Sequence, residues 1–235
     1  MPEGDTIWRT AAALRRQLAG KVVVDARPDA LGRLKGQRLE SVEPNGKHLF
    51  MRFDRGIVLH SHMRMTGAWH LYRPGERWRQ PERRATAVLW FDDAVAVCFA
   101  APVVELTADE REPVQHLGPD ILADPFGLDE VIRRVRYSEQ RTLGELLLDQ
   151  RICAGIGNIY KCETLWLHRL DPWMGPRQVD EEALRRLYLT ARELMRSSLV
   201  TPIRAQRHAV HGRGRRPVPD AAHRSVSALR ASRPA

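Results

Sequence analysis

The residues that best suggest chemistry stand at the start of the chain, Met1-Pro2-Glu3-Gly4. Proline in second position is small enough for the initiator methionine to be removed, which would expose a secondary amine. An α-amino group has a pKa of about 7.7–8.0, so a useful neutral fraction can attack a sugar C1′ and form an iminium. Glu3 beside it could act as general acid. Taken alone, these residues are also typical of the start of an ordinary helix, with proline near its first turn.

A second set of residues with chemical potential is Asn45-Gly46-Lys47-His48, at the head of a segment that alternates like a strand. Lys47 at such a turn could hold a phosphate of a nucleotide under attack. The alternative is an ordinary solvated lysine.

The third set is the run from Gln150 to Lys161, which contains Gly155-Ile-Gly157-Asn158. Two helices joined by a glycine-bearing turn form a unit similar to a helix–turn–helix. Asn158 and the free N–H groups of the second helix could bind phosphate, and Lys161 adds positive charge. An αα-hairpin without this role is the alternative.

The elements that must position these residues fall into two halves. Apolar spacing predicts a helix from Thr6 to Leu18, with Asp5 or Thr6 as its N-cap. Residues 22–99 alternate like strands and turns, including a hairpin turn at residues 54–56, and predict a β-sandwich or flattened barrel.

A proline-rich passage that includes Pro113, Pro119 and Pro125 precedes the helical half. There we predict a helix over residues 128–137, a capping box from Thr142 to Glu145, and a last helix that begins at Asp180. Between them lies a helix capped by Asn158, and its predicted apolar positions are Ile159, Cys162, Trp166 and Leu170.

The overall charge favours a polyanionic partner. The formal net charge is +9 and the isoelectric point is about 10.2, and cations docked on phosphates release counterions. The alternative explanation of this charge is a GC-rich genome, in which arginine codons are frequent. No apolar leader or long uncharged stretch is present, so we expect a cytoplasmic, nucleoid-associated protein without membrane contact. Cys98, Cys153 and Cys162 fit buried thiols in a reducing compartment.

Four motifs in order give the chain a family resemblance. They are Met1-Pro-Glu-Gly4, Gly46-Lys47 before a strand, His116-Leu-Gly-Pro-Asp120, and Leu148-Asp-Gln150 with Gly155-Ile-Gly157-Asn158. Over residues 1–200 this order resembles the formamidopyrimidine-DNA glycosylase/endonuclease VIII family. The runs Ser61–Trp69 and Arg73–Trp78 are similar to its actinobacterial endonuclease VIII branch.

The resemblance implies an α+β multidomain fold. A β-sandwich catalytic domain with a flanking helix would cover residues 1–115, and a helical domain with a helix–two-turn–helix would cover residues 124–200. It also implies roles for individual residues: Pro2 as nucleophile, Glu3 as proton donor, Lys47 as a catalytic lysine on phosphate, and Gly157, Asn158 and Lys161 as DNA-binding residues.

One more implied feature is a loop that fills the void left by an extruded nucleotide, formed by Arg64, Met65 and Thr66 with Met65 as the apolar wedge. A methionine at the end of a strand is otherwise more often a core residue. Family members often carry a glutamate where this chain has Thr6, so an assisting carboxylate is missing there.

The implied activity is base excision repair by a bifunctional DNA glycosylase/AP lyase. The enzyme would remove oxidised pyrimidines such as thymine glycol from double-stranded DNA through a Schiff base and β,δ-elimination, as a monomer and without a cofactor. Two alternatives stay open. One is a glycosylase for oxidised purines, and the other is a DNA-binding protein that has lost catalysis.

The C-terminal part departs from the family pattern. The family ends in a zinc finger with two cysteine pairs, whereas residues 210–217 resemble the entry to that finger and no cysteine follows. His208, His211 and His223 cannot replace four thiolates, so we expect no zinc and an arginine-rich tail over residues 201–235, disordered when free. A zincless hairpin held by packing and a frameshift near Arg216 are the competing explanations, and we hypothesise the frameshift.

Overall fold

The computed structural model describes residues 2–138 and 141–200 of the 235-residue chain. The expectations for residues 201–235, among them the tail, the missing finger and the frameshift, lie outside the described residues. Residues 1–199 form one compact unit, and the division at residues 115 and 124 stays a prediction. No helix in the described ranges is long and apolar enough to cross a membrane.

Helix α1 spans Gly4–Leu18 and buries Ile7, Ala11, Leu14 and Leu18, as the 3–4-residue spacing predicts. Its N-cap is Glu3, in extended conformation, so the predicted cap at Asp5 or Thr6 is wrong. Asp5 is instead a buried residue of the first turn and accepts a hydrogen bond from Ser198 Oγ at 3.0 Å.

Eight strands form two antiparallel four-stranded sheets, as the sandwich prediction requires. Their order is β1-β6-β7-β5 in one sheet and β2-β3-β4-β8 in the other. The strands are β1 Asp25–Arg27, β2 Leu39–Asn45, β3 His48–Phe53, β4 Val58–His62, β5 Ala68–Tyr72, β6 Ala85–Trp90, β7 Val95–Phe99 and β8 Val103–Thr107. One apolar core takes side chains from α1 and from both sheets, including Leu14, Leu49, Met51, Leu89 and Cys98.

The β3–β4 hairpin brings two predicted site segments to one edge of the sandwich. Its turn is Asp54–Gly56, as predicted, and its register places His48 opposite His62. Lys47 precedes β3 and Arg64 follows β4, so the register puts both at the same end of the sheet.

The helical half contains α2 Leu128–Arg136, α3 Leu143–Leu148, α4 Asn158–His168 and α5 Glu181–Leu199. The capping box at α3 is confirmed, because Glu145 N–H donates to Thr142 Oγ1 at 3.3 Å and Thr142 N–H donates to Glu145 Oε2 at 2.9 Å. Asp180 accepts from Ala183 N–H at 2.7 Å, as its predicted position before α5 requires. Helices α3 and α4 and the turn between them form the helix–two-turn–helix.

The prediction for α4 is wrong in two respects. Its N-cap is Gly157, and Asn158 is the first helical residue. Its buried face consists of Tyr160, Thr164 and Leu165, whereas Ile159, Cys162 and Trp166 are exposed. Packing between α4 and its neighbours therefore decides the buried face, and apolar residue type alone does not. Cys98 and Cys153 are buried thiols as predicted, and Cys162 is not.

Candidate active site

The Glu3 carboxylate is the centre of the candidate site. It is fully buried and caps α4 from the opposite end of the chain. Oε1 accepts from Ile159 N–H at 2.9 Å, and Oε2 accepts from Gly157 N–H at 3.1 Å and Tyr160 N–H at 3.4 Å. The first N–H groups of a helix have no acceptor within the helix. Here the carboxylate of Glu3, which is distant in sequence, is their acceptor.

This arrangement corrects the expectation that free N–H groups of α4 bind phosphate, because those of Gly157, Ile159 and Tyr160 are already bonded to Glu3. It also explains why Asn158 does not cap the helix. The position that a capping side chain would serve is taken by the Glu3 carboxylate.

Glycine is required at residue 157 because the carboxylate lies against its backbone. A Cβ at this position would lie 2.4 Å from Glu3 Cδ, well inside van der Waals contact. Next to it, Gly4 N–H donates to Gly155 O at 2.9 Å. Pro2, which is half-buried, and Glu3 thus lie where the sandwich half meets the start of α4.

Burial raises the pKa of Glu3 above its ordinary value, against the lowering effect of the Ile159 and Tyr160 N–H groups. The charge of Asp5 raises this pKa further, and the charge of Lys47 lowers it. A raised carboxyl pKa increases the fraction of the protonated form at neutral pH, which is the form that a proton donor needs.

Lys47 is held near Glu3 by the β2–β3 turn. Burial lowers the pKa of the Lys47 ammonium, and the charge of Glu3 opposes this shift. The turn residue Gly46 has φ 57° and donates its N–H to Asp120 Oδ2 at 2.8 Å. A Cβ at Gly46 would lie 2.9 Å from Ala154 Cβ, so the turn packs against the segment that precedes α4.

Asp120 and Gln150 are structural links that the sequence did not single out. Asp120 Oδ1 also accepts from Leu122 N–H at 2.9 Å. Gln150 Oε1 accepts from Gly155 N–H at 2.9 Å, and its amide nitrogen donates to Ile156 O at 2.9 Å. Both residues lie in motifs that the sequence did identify, which was the available signal. The four motifs therefore meet at one place.

The Arg64-Met65-Thr66 loop is exposed at the edge next to Lys47. Met65 is 66% exposed, which excludes the alternative that it is a core residue. Arg64 has φ 43°, and its N–H donates to His62 Nδ1 at 3.2 Å. Thr66 Oγ1 donates to Ala100 O at 3.2 Å and fastens the other end of the loop.

Asn158 and Lys161 lie on the first turn of α4, with Asn158 exposed and Lys161 half-exposed. They are at the same helix end as Glu3. The structure thus places the predicted catalytic residues and the predicted DNA-binding residues in two adjoining groups, one on the sandwich and one on α4.

His48, His60 and His62, to which the sequence analysis assigned no role, lie beside these groups. The pKa of His48 is lowered to about 3 and that of His62 to about 4, mainly by burial and in part by the charge of Arg64. Both rings are therefore neutral at pH 7. Because His62 Nδ1 accepts the Arg64 N–H, its proton resides on Nε2, which can donate. Their alternation with core residues along β3 and β4 was the only sequence signal.

The described residues hold no group of three or more His, Cys, Asp or Glu side chains that could bind a metal ion. The sequence contains three cysteines, on β7, before α4 and on α4. A four-thiolate zinc site cannot be built from them.

The chain is thus a β-sandwich followed by a helix–two-turn–helix, with a buried acid from the N-terminus at their junction. The same fold is found in the crystal structure of the Lactococcus lactis formamidopyrimidine-DNA glycosylase non-covalently bound to DNA containing an AP site. The TM-score is 0.74 at 21% identity, over 84% of this chain and 81% of that chain.

Residues 1–103 match the formamidopyrimidine-DNA glycosylase N-terminal domain, and residues 117–207 match the H2TH domain of the same proteins. The chain belongs to the formamidopyrimidine-DNA glycosylase/endonuclease VIII family, whose members are DNA glycosylases and AP lyases. It is 38% identical to the probable endonuclease 8 2 of Streptomyces coelicolor, over 92% of this chain and 83% of that protein. It is 36% identical to the DNA-(apurinic or apyrimidinic site) lyase Nei2 of Mycolicibacterium smegmatis, over 70% and 66% respectively.

Proposed function

We propose that this protein is a bifunctional DNA N-glycosylase and AP lyase of base excision repair that removes oxidised pyrimidines from damaged double-stranded DNA. The observation that carries the proposal is the buried Glu3 carboxylate, whose pKa is raised and whose charge interacts with that of Lys47. An acid that follows directly on a potential secondary amine supplies both partners for displacement at a sugar carbon.

In the first step Glu3 donates its proton to the ring oxygen of the deoxyribose. The neutral amine of Pro2, exposed after removal of Met1, attacks C1′ with its lone pair. The glycosidic C1′–N bond breaks, and the base leaves with the bonding electrons and takes up the amine proton. The C1′–O4′ bond then breaks at the protonated ring oxygen, and the nitrogen lone pair forms an iminium between Pro2 and the ring-opened sugar.

In the second step the iminium acidifies the C2′ hydrogen. Loss of this proton expels the 3′ phosphate by β-elimination, and loss of the C4′ proton then expels the 5′ phosphate by δ-elimination. Lys47 would neutralise a phosphate next to the reacting sugar, and the Nε2–H group of neutral His62 can donate to the same backbone. None of these steps draws on a metal or a nucleotide cofactor.

Asn158 and Lys161 would bind the DNA backbone at the start of α4, next to the Gly157 amide that holds Glu3. Met65 would enter the base stack when the damaged nucleotide is extruded, with Arg64 and Thr66 on either side. The exposure of Met65 and the fastened ends of its loop support this role.

Sodium borohydride trapping on DNA with an abasic site tests the lyase mechanism. We expect a covalent adduct with the processed protein and none with Pro2→Gly. The matched control is the same chain with Met1 retained, as verified by mass, which should also form no adduct. Salt-sensitive retention of DNA without any adduct in the processed protein would instead support the non-catalytic DNA-binding alternative.

The pyrimidine assignment is supported by the similarity to proteins named endonuclease 8. Excision from duplexes that carry either thymine glycol or a formamidopyrimidine tests it. Faster single-turnover release of thymine glycol is the expected result, and faster release of the formamidopyrimidine would assign the enzyme to oxidised purines.

A further inference from the structure

A row of hydrogen-bonded side chains crosses the outer face of the β2-β3-β4-β8 sheet. We call Glu105, His60, His48 and His62 the histidine stack. His60 Nδ1 lies 2.9 Å from Glu105 Oε1, and His48 Nδ1 lies 2.8 Å from His60 Nε2. The row begins at a carboxylate that is 56% exposed on β8 and continues through His60, which is 2% exposed, toward Lys47.

The hydrogen bonds fix the tautomer of each ring in turn. The Glu105 carboxylate accepts from His60 Nδ1–H, and in a neutral His60 ring Nε2 then has a lone pair. That lone pair accepts from His48 Nδ1–H, so the Nε2 of His48 is unprotonated. A single carboxylate therefore determines which nitrogen bears hydrogen on two rings, since a neutral imidazole has one donor and one acceptor.

The last ring connects this row to the exposed loop. The His62 ring packs edge-on against His48, with 4.6 Å between centroids and 68° between planes. Its Nδ1 accepts the N–H of Arg64, a residue that the loop holds at φ 43°. A positive φ is unfavourable for a residue with a side chain and needs support from its surroundings.

We propose that the histidine stack holds the Arg64-Met65-Thr66 loop in the shape that enters duplex DNA, so that Glu105 and His60 are positioning residues for nucleotide extrusion. The inference rests on the proposed function, because it names the residues that hold Met65 in position at that same site. A hydrogen-bonded row of side chains favours one orientation of its members, which apolar packing on this face would not.

Glu105 is the point at which to test this, because it is exposed and far along the row from the loop. Glu105→Ala removes the acceptor, and Glu105→Gln retains one. Glu110→Ala is the matched control, since Glu110 pairs with Arg52 at 2.6 Å across the same sheet and none of its described contacts is with the histidines. Thermal unfolding of each variant shows whether it is folded.

The assay is the rate of borohydride trapping on one abasic oligonucleotide, used both as a duplex and as a single strand. Only the duplex requires a wedge. For Glu105→Ala we expect a roughly tenfold slower reaction on the duplex and an unchanged rate on the single strand. Glu105→Gln and Glu110→Ala should match the unmodified protein on both. Equal losses on both substrates, or no loss on the duplex, would overturn the inference.

A second measurement does not depend on activity. Nitrogen NMR of the histidine rings distinguishes protonated from unprotonated nitrogens, and we expect His48 to be protonated on Nδ1 in the unmodified protein and to lose this preference in Glu105→Ala. A ring that keeps the same tautomer in both proteins contradicts the proposed role of Glu105. If the unmodified protein forms no adduct on either substrate, the proposed function itself fails, whatever the NMR shows about the row.

Discussion

Gly157 and Glu3 depend on each other, although more than 150 positions separate them in the sequence. The glycine lacks a side chain where the carboxylate lies, and the carboxylate satisfies the N–H groups that begin at the glycine. The Glu3 carboxylate is therefore held by the backbone N–H groups of Gly157, Ile159 and Tyr160. This dependence gives predictions about activity and about stability.

Gly157→Ala should displace the Glu3 carboxylate, because the new methyl group would lie 2.4 Å from Glu3 Cδ. We expect a loss of about 1–3 kcal/mol in the free energy of unfolding, typical of an overpacked site, together with loss of base excision. Urea unfolding and single-turnover excision measure the two effects. Gly32→Ala is the control, since a Cβ there meets no atom within 4 Å. An active, fully stable Gly157→Ala variant would show that Glu3 is not held in this way.

The raised pKa of Glu3 predicts a pH-dependent stability. The folded state binds this proton more tightly than the unfolded state, whose pKa is about 4.3. The resulting stabilisation is fully present below that value and is lost as the pH rises through the folded pKa. The unfolding free energy of the unmodified protein minus that of Glu3→Gln should therefore decrease as the pH rises from about 4. A difference that grows over this range would mean that the folded pKa is lowered.

At the residue scale the sequence could supply Pro2, Glu3 and Lys47 as candidates, because their chemistry is visible in their types. It could not supply the partner of Glu3, since that contact joins the first turn of α1 to the first turn of α4. For this reason the prediction that N–H groups of α4 bind phosphate was wrong: those of Gly157, Ile159 and Tyr160 bind Glu3. Histidines on alternate positions of β3 and β4 also carried no chemical signal until the register placed His48 beside His62.

Among the elements, the β2–β3 turn shows how a loop is fixed by a distant segment. The N–H of Gly46 donates to Asp120, which lies within the proline-rich passage, and Asp120 also accepts from Leu122. Lys47 is the next residue after this tether. The position of the lysine is thus determined by a carboxylate outside the sheet.

Asp120→Ala should remove both hydrogen bonds and leave two backbone donors without partners. We expect a loss of about 1–3 kcal/mol in the free energy of unfolding and slower trapping on abasic DNA. Asp93→Ala is a suitable control, because Asp93 is an exposed aspartate whose partner is Lys21 at the surface. Unchanged trapping kinetics in Asp120→Ala would show that the function of Lys47 does not depend on the hydrogen bond between Gly46 and Asp120.

Helices and strands with one buried face could be predicted well, because their periodicity reflects that face. The β3 strand and the Thr142 capping box were predicted correctly, and α5 begins at Glu181, one residue after the predicted start at Asp180. Helix α4 was not, since its exposed face carries Ile159, Cys162 and Trp166 while its buried face includes Thr164. A short helix with apolar residues all around has no periodicity from which the inner side can be identified.

At the scale of the whole molecule, the charge of +9 gives a prediction about DNA binding. Each phosphate contact contributes about −0.9 to the slope of log affinity against log salt concentration for duplex DNA. Lys161→Ala should weaken binding and reduce the magnitude of this slope by about 1. Titration by fluorescence anisotropy at several salt concentrations measures both quantities.

Arg185→Ala is the control for that titration, because Arg185 on α5 already pairs with Asp129 at 2.7 Å and Glu181 at 3.1 Å. Its slope should equal that of the unmodified protein. If both variants reduce the slope equally, the effect comes from net charge and not from a contact by Lys161.

The architecture as a whole could be anticipated, because four motifs in order identify the family and each half has a clear pattern. The convergence of these motifs at a single junction could not, since it depends on side chain to backbone contacts such as those of Asp120 and Gln150. The sequence therefore predicted which segments matter before it could predict how they touch.

The bond from Gly4 to Gly155 and the Glu3 cap of α4 have a consequence for biosynthesis. The ribosome makes Pro2, the proposed nucleophile, first, and makes the α4 segment that binds Glu3 only after most of the described residues. A truncated translation product that stops before α4 would carry Pro2 and Glu3 without the backbone N–H groups that bind the Glu3 carboxylate. If the proposed function holds, base excision is expected only from chains in which α4 has folded against the N-terminus.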